Sequence, residues 1–213
     1  MVKAIILDFD GTLVNKDILD VVCGIVGKEN ESRKINEQFH SGKRQGLDAL
    51  VERINLLKGV TNQDIKKKLD ENNYLEKGIK ELFQFLTEHK IISIIASGNI
   101  IPILEYYKKL LNITHIVGSS PHMIKDTIVG ISVDDFQGKD FKLKGVKRIL
   151  LDLYIHQDET IAIGDSPADT QLFEYVGTSI AINPKGGIEK KVKYVIDNLS
   201  EVIQIIEKNN LLF

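Results

Sequence analysis

The stretch that decides the fold is KAIILDFDGTL, residues 3–13. Its apolar part is typical of a buried β-strand, and Asp8 follows at the carboxyl end, where open α/β sheets bind ligands. Asp8 and Asp10 are two positions apart, so in an extended segment both side chains point the same way. Two converging carboxylates are electrostatically costly unless a cation separates them or one is protonated, so the stretch predicts a Mg²⁺ site, a nucleophile, or both. The alternative is a turn or a helix N-cap, since Asp and Gly serve both.

The composition is that of an ordinary globular protein, with 213 residues, 43% of them hydrophobic and 27% charged. This length allows one sizeable core with an insertion, or two small domains. The net charge is −2, and no basic block is longer than Lys66-Lys67-Lys68. We therefore expect no nucleic acid as a partner, because phosphate backbones require clustered basic side chains.

Two further features bear on location. No apolar stretch reaches membrane-spanning length, and the amino terminus lacks the pattern of a signal peptide, so we expect no membrane partner. The single cysteine, Cys23, cannot form an internal disulfide and fits a cytoplasmic, reducing environment. Because apolar residues surround it in the sequence, Cys23 is expected to be a small buried hydrophobic residue.

The hydrophobic pattern divides the chain. Apolar residues at helical spacing predict helices at 17–26, 30–41, 46–58 and 61–71. From residue 76 onward, helices and strands alternate, which favours a parallel sheet with helices on both faces. The predicted fold class is α/β, a doubly wound parallel sheet with a Rossmann-like core and an inserted helical cap. Residues 1–14 and 75–213 would form the core and residues 15–74 the cap, with a β-hairpin within 121–135 of the core.

Polar clusters follow three predicted strands: Asp8 with Asp10, residues 97–99, and residues 164–169. Because the carboxyl ends of parallel strands meet at one edge of a sheet, these clusters would converge on one crevice. Hard oxygen ligands without a His or Cys cluster favour Mg²⁺ over Zn²⁺. Ser97 and the backbone N–H groups after it could hold an anion at a helix N-terminus. Together the clusters predict phosphoryl transfer, which depends on positioning and charge neutralisation.

A lysine near the start of the predicted helix 143–154 would add positive charge to this crevice. Both Lys142 and Lys144 are candidates, and each taken alone is more often a surface charge. The other clusters are equally weak alone, since Ser97-Gly98 is a common helix start and two acids can cap a helix. Their order and their places at strand ends make the set specific.

The chain resembles the haloacid dehalogenase superfamily of phosphohydrolases, and more narrowly its phosphoserine phosphatase family, over essentially its whole length. The family's four motifs occur in order, at residues 8–13, at Ser97-Gly98, at a lysine in position 142 or 144, and at residues 164–169. Lys144 is the preferred third motif, because Lys144-Gly145 opens the helix as in that family.

The resemblance implies a role for each motif. Asp8 would attack phosphorus and carry an aspartyl-phosphate, and Asp10 would protonate the leaving oxygen and then activate water. Mg²⁺ would be held by Asp8, the backbone carbonyl of Asp10 and Asp165, supported by Asp169. The phosphoryl oxygens would be bound by Ser97, Gly98 and Lys144.

Several positions depart from the family pattern. Asp17 stands where phosphoserine phosphatases have a Glu that meets the substrate amino group, whereas Arg53 matches the arginine that holds the substrate carboxylate. An expected bulky apolar residue falls near Gly46, and Asn99 and Ala168 replace a usual Gly and Asn. Asp17 and Arg53 could equally be surface charges on helices.

The sequence therefore predicts a Mg²⁺-dependent phosphomonoester hydrolase that acts on a small soluble phosphate, with phosphoserine as one candidate. A phosphotransferase of the same family, which passes the phosphoryl group to an alcohol, would use the same catalytic residues. A phosphoaspartate regulatory module would also hold Mg²⁺ among acids at a sheet edge, but it needs no helical cap. The pattern does not predict an oligomeric state.

Overall fold

A computed structural model describes residues 1–44 and 46–212. Within these residues the strands are β1 Ala4–Leu7, β2 Ile92–Ile100, β3 His115–Ser119, β4 His122–Ile124, β5 Thr127–Gly130, β6 Thr160–Gly164, β7 Thr178–Ile182 and β8 Tyr194–Ile196. The α-helices are α1 Ile18–Cys23, α2 Glu29–His40, α3 Gly46–Asn55, α4 Asn62–Asp70, α5 Ile79–Glu88, α6 Ile101–Leu111, α7 Phe141–Asp152, α8 Thr170–Tyr175 and α9 Glu201–Lys208.

The main sheet has six parallel strands in the order β3-β2-β1-β6-β7-β8. The chain builds outward from β1 to β3 on one side and then crosses to β6 on the other side of β1. The strand order therefore reverses next to β1, and such a switch point leaves a crevice at the carboxyl ends of the strands. The predicted doubly wound α/β fold is confirmed.

Strand β1 is buried on both faces, as its continuous apolar sequence predicts. Ile5 and Leu7 belong to the larger apolar cluster, whereas Ala4 and Ile6 belong to the smaller cluster with Val146 of α7. Full burial of each Ile or Leu side chain stabilises the fold by about 1.5–3 kcal/mol. The strand that ends at Asp8 is thus fixed by packing from both sides.

Helices α1–α4 are inserted between β1 and α5, and they connect to the carboxyl edge of the sheet. Asn15 N donates to Tyr74 O at 2.9 Å, and Glu76 N donates to Leu13 O at 3.0 Å, so the outgoing and returning segments lie side by side. The range predicted for the cap, residues 15–74, includes all four of these helices. The division into core and cap domains stays a prediction.

The predicted hairpin is present as the antiparallel pair β4–β5, and it packs against the inserted helices. Gly59 N donates to Ile128 O at 2.8 Å, and Ile128 N donates to Val60 O at 2.9 Å. The Asn55 side chain bonds both the N–H and the C=O of Ile131, at 3.1 and 2.9 Å. The α3–α4 end of the insertion is therefore tied to the core.

Two boundaries differ from the sequence prediction in ways that affect the site. Strand β2 continues to Ile100, three residues beyond the end of the apolar run at Ser97, and α6 begins at Ile101. The pairing of β2 with β3 shifts register between Ala96 and Ile100, and such irregularities often lie beside active sites. Helix α7 begins at Phe141, two residues before the predicted start. No helix in the described ranges is long and apolar enough to cross a membrane.

Candidate active site

Asp8 and Asp10 lie in the loop that follows β1, and both line one cavity of about 1010 Å³. Asp8 N donates to Ile163 O at 2.9 Å, which extends the pairing with β6 by one residue. Phe9, between the two acids, is fully buried and packs edge-on against Tyr107 with ring centroids 5.0 Å apart. Burial of Phe9 turns its two neighbours toward the cavity, as the spacing predicted.

Gly11 lets this loop approach the loop that follows β6. Its φ is +82°, a left-handed conformation that favours glycine, and a Cβ atom there would collide with the Asp165 carboxylate. Any larger residue at position 11 would separate the two acid-bearing loops.

Asp8, Asp165 and Asp169 form a buried acidic cluster, in which one carboxylate oxygen from each lies within 4.8 Å of the others. Asp169 Oδ2 accepts from the N–H groups of Asp165 and Ser166, at 3.2 and 3.3 Å. Asp169 Oδ1 is buried, and none of the described residues forms a hydrogen bond with it. An orphaned carboxylate oxygen among two further carboxylates fits a hard divalent cation such as Mg²⁺, which prefers oxygen ligands.

Two acids of this cluster, Asp165 and Asp169, have raised pKa values. Burial raises the pKa of Asp169 to about 7, and the charges of Asp8 and Asp165 act in the same direction, although Lys142 opposes them. Burial also raises the pKa of Asp165. A cation bound here would relieve the repulsion that these acids experience without it.

Asp10 lies outside that cluster and has partners of its own. Its Oδ1 accepts from Ile18 N, the first amide of α1, at 2.7 Å. Asn99 Nδ2 lies 3.2 Å from Oδ2 and 3.5 Å from Oδ1. Burial, together with the charges of Asp17 and Asp8, raises the pKa of Asp10 well above its ordinary value, while the Ile18 bond opposes the rise. A carboxyl group with a raised pKa is suited to donate a proton and then accept one.

The structure places Lys142, not Lys144, beside the acids. Lys142 Nζ lies 2.8 Å from Asp8 Oδ1 and 3.7 Å from Asp169 Oδ1. Burial lowers the pKa of Lys142, but the carboxylates of Asp8 and Asp169 outweigh burial, so the net shift is upward. Lys144 is half exposed and bonds Gln137 O at 2.7 Å and Asp140 Oδ1 at 3.0 Å. The preference for Lys144 is therefore corrected.

The reason for this correction is the face of α7 that packs against the sheet. Residues two apart on an α-helix point in nearly opposite directions, so only one of the two lysines can lie on that face. Val146 and Leu150 are the residues of α7 that pack against the sheet, and Lys142, four residues before Val146, lies on the same face.

Ser97 and Gly98 lie at the end of β2 and line the same cavity as Asp8. Ser97 is buried, and its Oγ accepts from Asn99 N at 3.0 Å. Ser119 Oγ donates to Gly98 O at 2.6 Å and fixes the irregular backbone here. A Cβ atom at Gly98 would lie 3.2 Å from the Leu50 side chain of α3, so this turn passes directly beneath the inserted helices.

Asp17 and Arg53 meet above the acids and line the cavity. Arg53 Nη2 donates to Asp17 Oδ1 at 2.5 Å and to Asp20 Oδ1 at 2.9 Å, and its Nε donates to Ser32 Oγ at 2.9 Å. Arg53 is only 6% exposed, so the interpretation as a surface charge is wrong. Asp17 also caps α1 by accepting from Asp20 N, and it accepts from Asn36 Nδ2 at 3.0 Å.

Near Gly46 the family pattern has a bulky apolar residue. In this chain α2 supplies an apolar side chain at that place. A Cβ atom at Gly46 would lie 2.9 Å from the Phe39 ring, and Phe39 lines the cavity. The glycine therefore leaves room for a ring that projects from another helix.

Sequence analysis did not assign three residues that the structure brings to the site. Lys185 Nζ lies 2.7 Å from Asp165 Oδ2, Asn99 contacts Asp10, and Asp20 pairs with Arg53. Lys185 follows the end of β7 at the same sheet edge, so the strand-end rule could have found it. Asp20 carried no comparable signal, because its partner is 33 residues away on another helix.

This arrangement of strand-end acids, lysine and inserted helices matches a known protein family. The family model for haloacid dehalogenase-like hydrolases matches residues 5–174. The chain belongs to this family. The resemblance that the sequence motifs predicted is thereby confirmed, and the match includes Asp8, Asp165 and Asp169.

The relatives are consistent over nearly the full chain. The phosphoserine phosphatase of Campylobacter jejuni subsp. doylei is 26% identical over 97% of this chain and all of its own length. That of Methanocaldococcus jannaschii is 26% identical over 96% of this chain and 98% of its own. Among solved structures, a phosphoaspartyl intermediate analogue of phosphoserine phosphatase aligns with a TM-score of 0.81 at 23% identity, over 96% of this chain and 98% of that one. A HAD family hydrolase from Salmonella enterica serovar Typhi aligns with a TM-score of 0.86 at 20% identity, over 97% of this chain and 72% of that one. The chain is thus a hydrolase similar to phosphoserine phosphatases.

Proposed function

We propose that this protein is a Mg²⁺-dependent phosphomonoesterase that acts through an aspartyl-phosphate on Asp8, and that its substrate is phosphoserine. The observation that carries the proposal is the convergence at one sheet edge of Asp8, Asp10, Lys142 and the acidic cluster beneath a large cavity. The similarity to phosphoserine phosphatases supports the same conclusion.

In the first step a carboxylate oxygen of Asp8 attacks phosphorus, and the bond from phosphorus to the ester oxygen breaks. Asp10 gives its proton to the departing oxygen, for which its raised pKa is suited. Lys142, Ser97 and the Gly98 N–H bind the phosphoryl oxygens, whose charge must be neutralised as the group transfers.

A metal site would neutralise the negative charge that remains on the phosphoryl group and on the carboxylates. Asp8, Asp165 and the backbone carbonyl of Asp10 would hold Mg²⁺, with Asp169 in support. Mg²⁺ held there would supply positive charge that neutralises the phosphoryl oxygens and the surrounding carboxylates. The raised pKa of Asp169 and its orphaned oxygen are the structural features that fit this role.

In the second step Asp10, now a carboxylate, takes a proton from water, and that water attacks the phosphorus of the aspartyl-phosphate. The bond to the Asp8 oxygen breaks, and inorganic phosphate and free Asp8 result. The inserted helices cover this chemistry, and coverage excludes bulk water and keeps electrostatic interactions strong.

The ceiling of the cavity is the side formed by the inserted helices. Phosphoserine fits this ceiling because it carries one carboxylate and one ammonium group. Arg53 is the guanidinium at that ceiling, and Asp17 beside it is an acid within reach of an ammonium group. The pairing of these two residues, with Asp20 as a third member, gives a mixed-charge surface that suits a zwitterion. We also propose a cytoplasmic location, as for a small soluble substrate.

The test is release of inorganic phosphate from a panel of phosphomonoesters that includes L-phosphoserine, with Mg²⁺ and with excess EDTA. We expect the highest kcat/KM for phosphoserine, and activity in Mg²⁺ only. Stoichiometric formation of a long-lived acyl phosphate without turnover would indicate a regulatory module instead. Phosphate transfer to an added alcohol in preference to water would indicate a phosphotransferase.

A further inference from the structure

The buried side chain of Asn99 has a fixed orientation that points its amide group at Asp10. Asn99 is 2% exposed, and its Oδ1 accepts from Ile100 N at 2.9 Å. Because a backbone N–H can only donate, the oxygen of the side-chain amide must face it, and the NH₂ group must face the other way. On that side lie the two oxygens of Asp10, 3.2 and 3.5 Å from Nδ2.

Asp10 is thereby held between two donors from different parts of the chain. Ile18 N, at the start of α1, donates to Oδ1 at 2.7 Å, and Asn99 approaches from the end of β2. The two oxygens of a carboxylate turn together about its terminal torsion, which meets only a broad, shallow potential, so one bond to Oδ1 leaves a range of orientations in which the second oxygen also changes place. The Asn99 amide fixes that second oxygen.

The motif pattern places a glycine where this chain has Asn99, so the amide is a feature of this chain beyond the shared machinery. The backbone of Asn99 also donates to Ser97 Oγ at 3.0 Å, which makes residue 99 a neighbour of both the acid and the phosphate-binding turn. Removal of the side-chain amide would leave the contact with Ser97 in place and would remove the contacts with Asp10 and with Ile100 N.

We propose that Asn99 is a positioning residue that orients the Asp10 carboxyl group toward the leaving oxygen and, in the second step, toward water. The proposal rests on the function proposed above, because it assumes that Asp10 is the general acid and base. It differs from a structural role in one respect. Loss of the amide should matter most when the leaving oxygen needs a proton.

The role of Asn99 can therefore be measured by comparing two substrates whose leaving groups differ in their need for a proton. The serine oxygen of phosphoserine is strongly basic and must be protonated as it departs, whereas p-nitrophenolate departs without help. A well-placed general acid contributes about 10²–10⁴-fold. We expect Asn99→Leu, which keeps the size and removes both donors, to lower kcat/KM for phosphoserine about tenfold more than kcat/KM for p-nitrophenyl phosphate. This ratio is used because kcat/KM contains only the steps up to transfer to Asp8, whereas kcat also contains the second step, which the two substrates share. Asn99→Asp, which replaces the donor by an acceptor, should change the ratio in the same direction even if Asn99→Leu is too unstable to purify.

Two controls separate positioning from folding. Ser93→Ala removes a buried polar contact with Thr114 at the other end of the same strand, and it should leave the substrate ratio unchanged. In the Asp10→Asn background, Asn99→Leu should have little further effect on kcat, because residues that act through one another are not additive.

The outcomes are distinguishable. If the wild-type enzyme is active but Asn99→Leu loses equally on both substrates, and its effect adds fully to that of Asp10→Asn, the positioning role is overturned. The proposed function still stands in that case. A wild-type protein inert toward every phosphomonoester with Mg²⁺ refutes the proposed function and this inference with it. A selective loss on phosphoserine that vanishes in the Asp10→Asn background supports both.

Discussion

Lys142 Nζ lies 2.8 Å from Asp8 Oδ1, and this ion pair joins segments 134 residues apart in the chain. The pair places one partly buried positive charge against the proposed nucleophile. A lysine in this position can hold Asp8 in its attacking orientation and neutralise the incoming phosphoryl group.

This geometry gives a direct comparison between two lysines on one helix. Lys142→Met keeps the apolar stem of the side chain and removes the charge, and we expect kcat/KM to fall by about 10²–10³-fold, as for loss of one stabilising donor. Lys144→Met should remain close to wild type, because Lys144 bonds Gln137 and Asp140, which lie outside the acidic cluster. Steady-state kinetics of both variants decide the matter, and the reverse ranking would restore Lys144 as the phosphate-binding residue.

Asp8→Asn should abolish turnover by several orders of magnitude while the protein stays folded, because the amide keeps the shape of the side chain but is a poor nucleophile. Rapid quenching of the wild type with substrate, followed by borohydride reduction, should convert Asp8 to homoserine, which peptide mass spectrometry detects. Asp158→Asn, at a largely exposed acid, is the matched control and should remain active. Modification of any acid other than Asp8 would contradict the assignment.

Metal binding should be measurable without catalysis. Mg²⁺ that binds only the folded protein raises the free energy of unfolding in proportion to the logarithm of its concentration, by about 2.7 kcal/mol at a hundredfold excess over Kd. We expect this stabilisation in the wild type and a much weaker one in Asp165→Asn. A urea titration with Mg²⁺ and with EDTA tests it, and equal stabilisation of both proteins would place the metal elsewhere.

The sequence predicts the site largely because strand ends carry it. Asp8, Ser97 and Asp165 each follow a strongly apolar strand, and parallel pairing then brings them to one edge without further information. The lysine could not be assigned in the same way, because it lies on a helix and not at the end of a strand. The signal that could have identified it is helical spacing, since Lys142 lies four and eight residues before the buried Val146 and Leu150.

The ceiling of the cavity was predictable only in part. Helical spacing predicted α3 and placed Arg53 on it, but the partners of Arg53 depend on how α1, α2 and α3 pack together. Asp20 and Ser32 lie 33 and 21 residues away along the chain, and no local pattern indicates that they would meet a guanidinium. The contact of Asn99 with Asp10 is also tertiary, although the departure from the motif at that position indicated where to look.

Cys23 should report on the packing of α1 against α3. The thiol is fully buried and points at Arg53 O at 3.8 Å, and burial raises its pKa to about 11. Because the folded protein favours the neutral thiol, the stability that it contributes is complete below the ordinary pKa near 9 and is lost as the pH rises through 11. We expect the free energy of unfolding to fall between pH 9 and pH 11 more steeply in the wild type than in Cys23→Val. Equal slopes in urea titrations of the two proteins would contradict this.

Arg53 presents a problem for the usual alanine test. Its guanidinium is bonded to two carboxylates and a hydroxyl within the inserted helices. Arg53→Ala would leave Asp17 and Asp20 without their cation, and breaking a buried pair in this way costs about 3–5 kcal/mol. Loss of activity in that variant would not distinguish substrate binding from folding.

Arg53→Lys is the sharper variant, because it keeps the positive charge between Asp17 and Asp20 but cannot form the planar, two-donor contact that suits a carboxylate. If Arg53 binds the substrate carboxylate, kcat/KM for phosphoserine should fall by about tenfold to a hundredfold, the range for loss of a charge-assisted hydrogen bond. Activity on p-nitrophenyl phosphate, which has no carboxylate, should change little. Arg33→Lys on α2, where the arginine pairs with Glu29 at the surface, controls for the substitution itself. Equal losses on both substrates would mean that Arg53 stabilises the fold of the insertion. No loss on either substrate would mean that Arg53 does not recognise the substrate.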